Sequence, residues 1–294
     1  MPASPRRASW LARHVSRQAA YAGLLVWAVA TTIPIWAALT ASFKSTSEVI
    51  SNPLGIPHAL HPDNYVAAWT GRIGAGTYYG IQSEPLYRFG LHSVLAVSIG
   101  VALAMGTGTL AGYALARNAE RLNFLNRYFI VLLALPAIAT WVPLFSLMES
   151  LGLLASPAGL GLVYGAMVTP LVTVLMRTYF SSFPLDLVEA ARVDGASESF
   201  AFARIVLPMS KGVLTVVALI QAVFLWNELA VAEILLVTPD RGTLPMGLIA
   251  FKSQFASNLG PQFAALVLAI VPVTLLYIVA QGRITQGIRL GALR

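Results

Sequence analysis

Four carboxylates, Asp186, Glu189, Asp194 and Glu198, fall within thirteen residues, with Arg192 as the one base among them and a net charge of −3. They form a charged island between two long apolar segments. Pro184 suits the first turn of a helix, where its missing N–H leaves no bond unmade, and Asp186 suits the positive N-terminal end. At 100° per residue Asp186, Glu189 and Arg192 share one side, with Leu187, Val188, Ala190 and Ala191 on the other. Asp194 falls near the helix end, and Gly195 is the natural residue to take a left-handed conformation and turn the chain. A second short helix is expected over 199–206, leading to Pro208. The paired alanines leave a low surface that another backbone can approach. An amphipathic helix lying on the membrane is the competing reading. Such helices are rich in Lys and Arg because the cytoplasmic leaflet is anionic. A net negative segment is repelled there, so the charge favours a protein partner, and a short helix laid in a groove is a common way to meet one.

A second cluster, Trp226, Asn227 and Glu228, with Glu233 nearby, lies inside an apolar run. A charge at mid-bilayer costs at least about 2.5–3.5 kcal/mol, so such residues face a cavity or a partner. Asn227 and Glu228 border a translocation path, where amide and carboxylate can hydrogen-bond a polyol, or they brace this helix against a neighbour. Both readings stand at this level. His58 and His61 are three apart, but with Pro62 beside them and no carboxylate or thiol at ligand spacing a plain loop is the better reading. Gly100, Ala104, Gly108 and Gly112 recur every four residues and mark a face where a second helix can approach closely, within the chain or across an interface.

These groups must be carried by membrane helices. With 57% hydrophobic and 11% charged residues and a mean hydropathy of +0.73, the chain lies far from the roughly 25% charged norm of soluble domains. Apolar segments at about 19–43, 89–116, 128–151, 158–178, 213–237 and 262–282 are each long enough to cross a bilayer as helix. The first follows Arg6, Arg7, Arg13 and Arg17 but exceeds the 7–15 apolar residues of a signal sequence, so it reads as a retained anchor. Pro136, Pro143, Pro170 and Pro272 are expected to kink their spans. The tails and the loops after the second and fourth spans hold fourteen of the nineteen Lys and Arg residues. By the positive-inside rule both termini and the acidic island are cytoplasmic. The domain reading is a cytoplasmic tail over 1–18, a six-helix membrane domain over 19–282 with the island's loop at about 179–212, and a second cytoplasmic tail over 283–294. The first external loop, about 44–88, is expected to hold one short helix over 65–69 capped by Asp63.

The +7 net charge is thus a matter of topology and not of nucleic-acid binding. With no cysteine there are no disulfides, thiolate metal sites or cysteine nucleophiles. No histidine in a span has a partner visible in the sequence for hydrolytic chemistry, so no catalytic residue is assigned. No phosphate loop of the G-x4-G-K-[ST] kind is present, so ATP is not hydrolysed by this chain. A secondary transporter or channel would be expected to spread ion-coupling charges over several spans. Here they concentrate in the fifth.

The string Glu189-Ala190-Ala191 followed by Gly195 and, nine residues on, Ile205-Val206-Leu207-Pro208 resembles the cytoplasmic loop motif of carbohydrate-uptake ABC transporter permease subunits, the binding-protein-dependent transport system inner membrane components. Ser42-Phe43-Lys44, Gly112 through Arg117, Leu151-Gly152-Leu153-Leu154, Trp226 through Leu229 and Gln281-Gly282-Arg283 extend the resemblance over nearly all of the chain after residue 40. The chain departs from the family at His92-Ser93, where Asn-Ser is common, at Val188, where a charged residue is frequent, and in a long 72–88 stretch. The resemblance implies an all-α integral membrane protein of six transmembrane helices with the type I importer permease (MetI-like) fold. It assigns ATPase coupling to Glu189, Ala190, Ala191, Asp194 and Gly195. It further implies a second permease subunit, an ABC ATPase dimer that binds ATP and Mg, an extracytoplasmic solute-binding protein and a lipid bilayer as partners, in a bacterial inner membrane. The expected activity is uptake of a sugar or oligosaccharide, with a non-sugar solute such as glycerol phosphate as the alternative.

Overall fold

In the computed structural model the described residues are 5–71, 85–184, 186–254 and 258–292. Most of the 72–88 stretch, and Arg294 of the C-terminal tail, lie outside them. The described chain is helical, with no strand. Helix α1 (Pro5–Ala41) runs unbroken from the basic tail into the first span, so that tail is itself helical. Two short helices follow outside the first span, α2 (Thr46–Ser51) and α3 (Asp63–Thr70). Asp63 does not cap α3: Pro62 holds the cap position with no side-chain bond, and Asp63 is the first helical residue. Gly71, at φ +68°, ends the helix in the left-handed conformation.

Lys44 explains the Ser-Phe-Lys string. Its buried ammonium donates to the carbonyls of Asn52 at 2.7 Å and Gly55 at 2.6 Å. Without those carbonyls the buried charge would be strongly unfavourable. The Asn64 amide donates at 3.0 Å to the carbonyls of both Ser42 and Lys44, which fixes α3 beside the end of α1.

Helix α4 (Leu86–Arg117) packs along α7 (Pro157–Ser181), and the main core lies between them. The glycine face of α4 is turned to α7. A Cβ at Gly108 would stand 2.7 Å from Val172 Cγ1, and one at Gly112 would stand 2.8 Å from both the Arg177 amide nitrogen and Met176 Cβ. The small-residue stripe therefore serves packing inside the chain, and Gly161 and Gly165 of α7 answer it with equally close approaches to Ile99 and Leu103.

The third apolar segment is not one kinked helix. It divides into α5 (Asn123–Ala134) and α6 (Ala137–Ser150), which meet at 98°. Leu135 and Pro136 are both extended, as expected where a proline lacks an N–H and bars its predecessor from helical geometry. Pro143, Pro170 and Pro272 by contrast sit inside continuous helices.

Helix α8 (Asp186–Val193) is followed by α9 (Glu198–Ala201), which passes through a π turn (Phe202–Val206) into α10 (Leu207–Met209). The second helix of this loop is thus longer than the expected 199–206. It meets α11 (Lys211–Trp226) at 74°. The fifth segment, expected to be helical to residue 237, stops at Trp226 and resumes as α12 (Ala230–Leu235). A 3₁₀ turn (Pro239–Arg241), α13 (Leu244–Gln254) and α14 (Leu259–Ala292) complete the chain. Among the described residues four helices are long and apolar enough to cross a membrane, or six spans if each bent pair counts as one. The first of these buries none of its most apolar window, and α1 packs chiefly against α14.

Candidate functional site

The acidic island forms a free-standing helix with one anchor. Val188 is fully buried in the main core, while Asp186, Leu187, Glu189, Ala190, Asp194 and Gly195 are exposed and Ala191 is half-buried. The expected apolar side is therefore covered only at Val188. That this position is apolar, where the family often has a charge, follows from its burial. Val193 is 88% exposed and Phe200 also faces outward, so apolar groups stand beside the acids.

Gly195 has φ +85° and closes α8 with a paired bond pattern. Its N–H donates to Arg192 O at 2.9 Å, and the Ala196 N–H donates to Ala191 O at 2.9 Å. This is the Schellman arrangement, which satisfies the last carbonyls and reverses the chain. A residue with a Cβ is strained there even though nothing lies within 4 Å of the position a Cβ would take.

Glu198, counted in the sequence only as one of four acids, is the centre of the loop. Its Oε1 accepts from the Tyr113 hydroxyl at 2.5 Å and lies 3.3 Å from Arg117 Nε, both on α4. Its Oε2 pairs with Arg192 of α8. Burial alone would push the Glu198 carboxyl up, but the Tyr113 hydrogen bond and the Arg117 and Arg192 guanidiniums outweigh it and hold the group below the ordinary carboxylate value. The Tyr113 ring packs 4.6 Å from Phe202 and edge-on at 5.5 Å to Phe180 of α7. The available signal was Tyr113 and Arg117 at i and i+4 on one face of the Gly112–Arg117 string, but nothing local pointed that face at Glu198.

The Trp226, Asn227 and Glu228 group occupies the break between α11 and α12. The Glu228 carboxylate occupies the backbone donors at the restart. Its Oε1 accepts from the Val231 N–H at 2.8 Å and its Oε2 from the Ala232 N–H at 3.2 Å, donors that a continuous helix would have turned to the carbonyls of residues 227 and 228. The same Oε2 accepts from the Tyr164 hydroxyl of α7 at 2.9 Å. Tyr164, fully buried, is the partner that sequence reasoning missed.

The three residues part company here. Trp226 and Asn227 line a cavity of about 240 Å³ with Leu244, Pro245, Ala269 and Ile270. Glu228 is not part of its lining. Asn227 is exposed, and its amide donates to Val223 O at 2.8 Å. Trp226 also borders a second, largely apolar cleft of about 460 Å³ with Val97, Ser98, Ala222 and Pro272. The first cavity falls below the roughly 300–1,000 Å³ of small-molecule sites, and the second falls within that range. Glu233 is exposed on α12.

At the opposite end of α4 from Arg117, the departure at His92-Ser93 has a role. Ser93 Oγ accepts from the Leu244 N–H at 2.7 Å, and His92 Nδ1 lies 3.2 Å from Gly242 O, so this pair positions the start of α13. His58 is paired with Glu48 at 2.7 Å, and no group of three or more metal-ligating side chains occurs among the described residues.

Residues 104–290 match the family described as binding-protein-dependent transport system inner membrane component. The diacetylchitobiose uptake system permease protein NgcG of Streptomyces coelicolor is 34% identical over 281 residues, covering 93% of this chain and 88% of that protein. The sulfoquinovosyl glycerol transport system permease protein SmoH of Agrobacterium fabrum is 32% identical over 265 residues, with 88% and 87% covered. The fold is similar to that of a chain in the crystal structure of a bacterial ABC transporter involved in alginate import, with a TM-score of 0.76 at 21% identity and coverage of 96% and 99%. With the family match over residues 104–290 taking in most of the glycine face of α4, the acidic helix and the broken fifth span, the chain belongs to the binding-protein-dependent transport system inner membrane components, a family of transporter subunits rather than enzymes.

Proposed function

We propose that this chain is one permease half of an ATP-driven importer of a saccharide, working with a second, different permease subunit. Helix α8 seats in a separate ATPase subunit, which binds ATP and Mg, and an extracytoplasmic binding protein delivers the solute to the opposite face. Both termini lie in the cytoplasm, in keeping with fourteen of nineteen basic residues on that side. The observation that carries the reading is the exposed acidic helix Asp186–Val193, anchored to the bundle at Val188 and closed by left-handed Gly195. The coupling contact is made by Glu189, Ala190, Ala191, Asp194 and Gly195. A saccharide is supported by the relatives, whose names specify diacetylchitobiose and sulfoquinovosyl glycerol. Trp226 and Asn227 border the solute's path, and Glu228 holds the broken helix that presents them.

The test is purification of the assembled complex with its binding protein and reconstitution in liposomes. Uptake that requires ATP, the ATPase subunit and a saccharide-loaded binding protein is the expected result. Uptake by the permease chains alone, without an ATPase, would overturn it.

A further inference from the structure

We propose that Glu198 is a positioning residue that locks α8 to the cytoplasmic end of α4, so that a displacement of α8 moves the α4–α7 pair. This rests on the reading that α8 docks on the ATPase subunit. Helix α8 packs on α9 and the π turn, and Val188 is its one fully buried residue. Besides that buried valine, a polar link from α8 to α4 passes through the start of α9, where Glu198 stands.

The carboxylate serves the two sides with different oxygens. Oε1 takes the Tyr113 hydroxyl at 2.5 Å and the Arg117 guanidinium at 3.3 Å from α4, and Oε2 takes Arg192 from α8. A glutamine of the same shape replaces it poorly, because in either orientation its NH₂ would face a guanidinium, Arg117 or Arg192, and the negative charge is lost. Beneath the ion pairs, Tyr113 is wedged between Phe202 of the π turn and Phe180 of α7. Sideways motion of the loop thus presses on both helices. Those helices are in turn held by glycine-mediated contact at Gly100, Gly108 and Gly112, so they respond as one body.

Coupling between sites is reciprocal. Loss of the lock should therefore weaken transmission in both directions, leaving the ATPase subunit bound but deaf to the outer face. In the full complex reconstituted with its binding protein, Glu198→Gln is expected to leave ATPase co-purification and basal ATP hydrolysis unchanged. The stimulation of hydrolysis by solute-loaded binding protein, and solute uptake, should each fall about tenfold. Tyr113→Phe, which removes one hydroxyl and keeps the ring, should shift both in the same direction by about two- to fivefold. If Glu198→Gln fails to assemble, Tyr113→Phe decides alone. A proportional loss of complex, basal hydrolysis and uptake with an unchanged stimulation factor would reduce Glu198 to a folding role and overturn the proposal. So would unchanged stimulation in Tyr113→Phe. Failure of the wild-type chain to retain any ATPase subunit would overturn the docking reading itself, an outcome distinct from either variant result.

Discussion

Tyr164 of α7 donates its hydroxyl to Glu228 at 2.9 Å, across the point where the fifth span breaks. The bond ties α12 to α7, although the covalent chain between α11 and α12 is no longer helical. Glu228→Ala leaves two backbone donors unpaired and the Tyr164 hydroxyl with only its longer contact, 3.3 Å, to the carbonyl of residue 228, and should destabilise the complex by about 1–3 kcal/mol. Tyr164→Phe should cost less, and the double variant should cost less than the sum, because both remove the same bond. Uptake per surviving complex should stay unchanged. Normal melting with altered solute preference in Glu228→Ala would instead place the carboxylate in the solute path.

Asn227→Ala and Trp226→Ala should by contrast change uptake. Both side chains line the cavity between α11, α13 and α14. Assembly and melting should be nearly normal in Asn227→Ala while saccharide uptake falls or its preference changes. Trp226→Ala should also lower melting, because Trp226 packs against both apolar cores. Unchanged uptake across a saccharide panel would remove both from the path.

At the end of α8, Gly195→Val places a β-branched residue at φ +85°. The strain, about 1–3 kcal/mol, falls on the Schellman turn alone. Membrane insertion should be normal while uptake and binding-protein-stimulated ATP hydrolysis both drop. Glu189→Lys, which reverses an exposed charge, should weaken ATPase association. Full uptake with both variants would exclude α8 as the docking element.

Two glycines in α4 should answer the same change with different signs. Gly112→Ala drives a methyl to 2.8 Å from the Arg177 backbone nitrogen, which cannot swing aside, whereas nothing lies within 4 Å of a Cβ at Gly106. Overpacking of this kind costs about 1–3 kcal/mol. Gly106→Ala should be neutral or slightly stabilising, since alanine is the better helix former. Thermal unfolding of the two variants, compared side by side, checks the α4–α7 contact.

Acid should open the Glu198 contacts only late. Its carboxyl is held below the ordinary value, so its contribution is complete above that value and is lost as pH falls through the lower, folded one. The melting difference between wild type and Glu198→Gln should be constant from about pH 8 to about pH 5 and shrink below that. A difference already fading near neutral pH would show that the carboxylate is not held by Arg117, Arg192 and Tyr113.

How much was legible follows from how local each cause is. Gly195 could be placed from sequence because a left-handed helix end needs only the glycine itself. Span positions were legible because apolar length is set by the bilayer and not by neighbours. The break at Leu135-Pro136 was underestimated as a kink, since a proline alone does not say whether its helix bends, as at Pro170, or ends. The break at Glu228 was invisible because a side chain, not a proline, takes the backbone donors, with Tyr164 sixty-four residues away as its support. Glu198 was passed over for the same reason: its hydroxyl partner lies eighty-five residues earlier in the chain.

The contact between α1 and α14 joins the first span to the last, and α2 and α3 also rest on α14. In order of synthesis, then, the N-terminal quarter of the fold has its main support made last. Some 200 residues separate the two, roughly 10–40 s at about 5–20 residues per second. For that interval α1 must stand in the bilayer, solvated by lipid alone, while the α4–α7 core assembles without it. A helix that buries none of its apolar window within the bundle is suited to such a wait. Truncation before α14 should accordingly release α1 and the α2–α3 clip while sparing the α4–α7 pair.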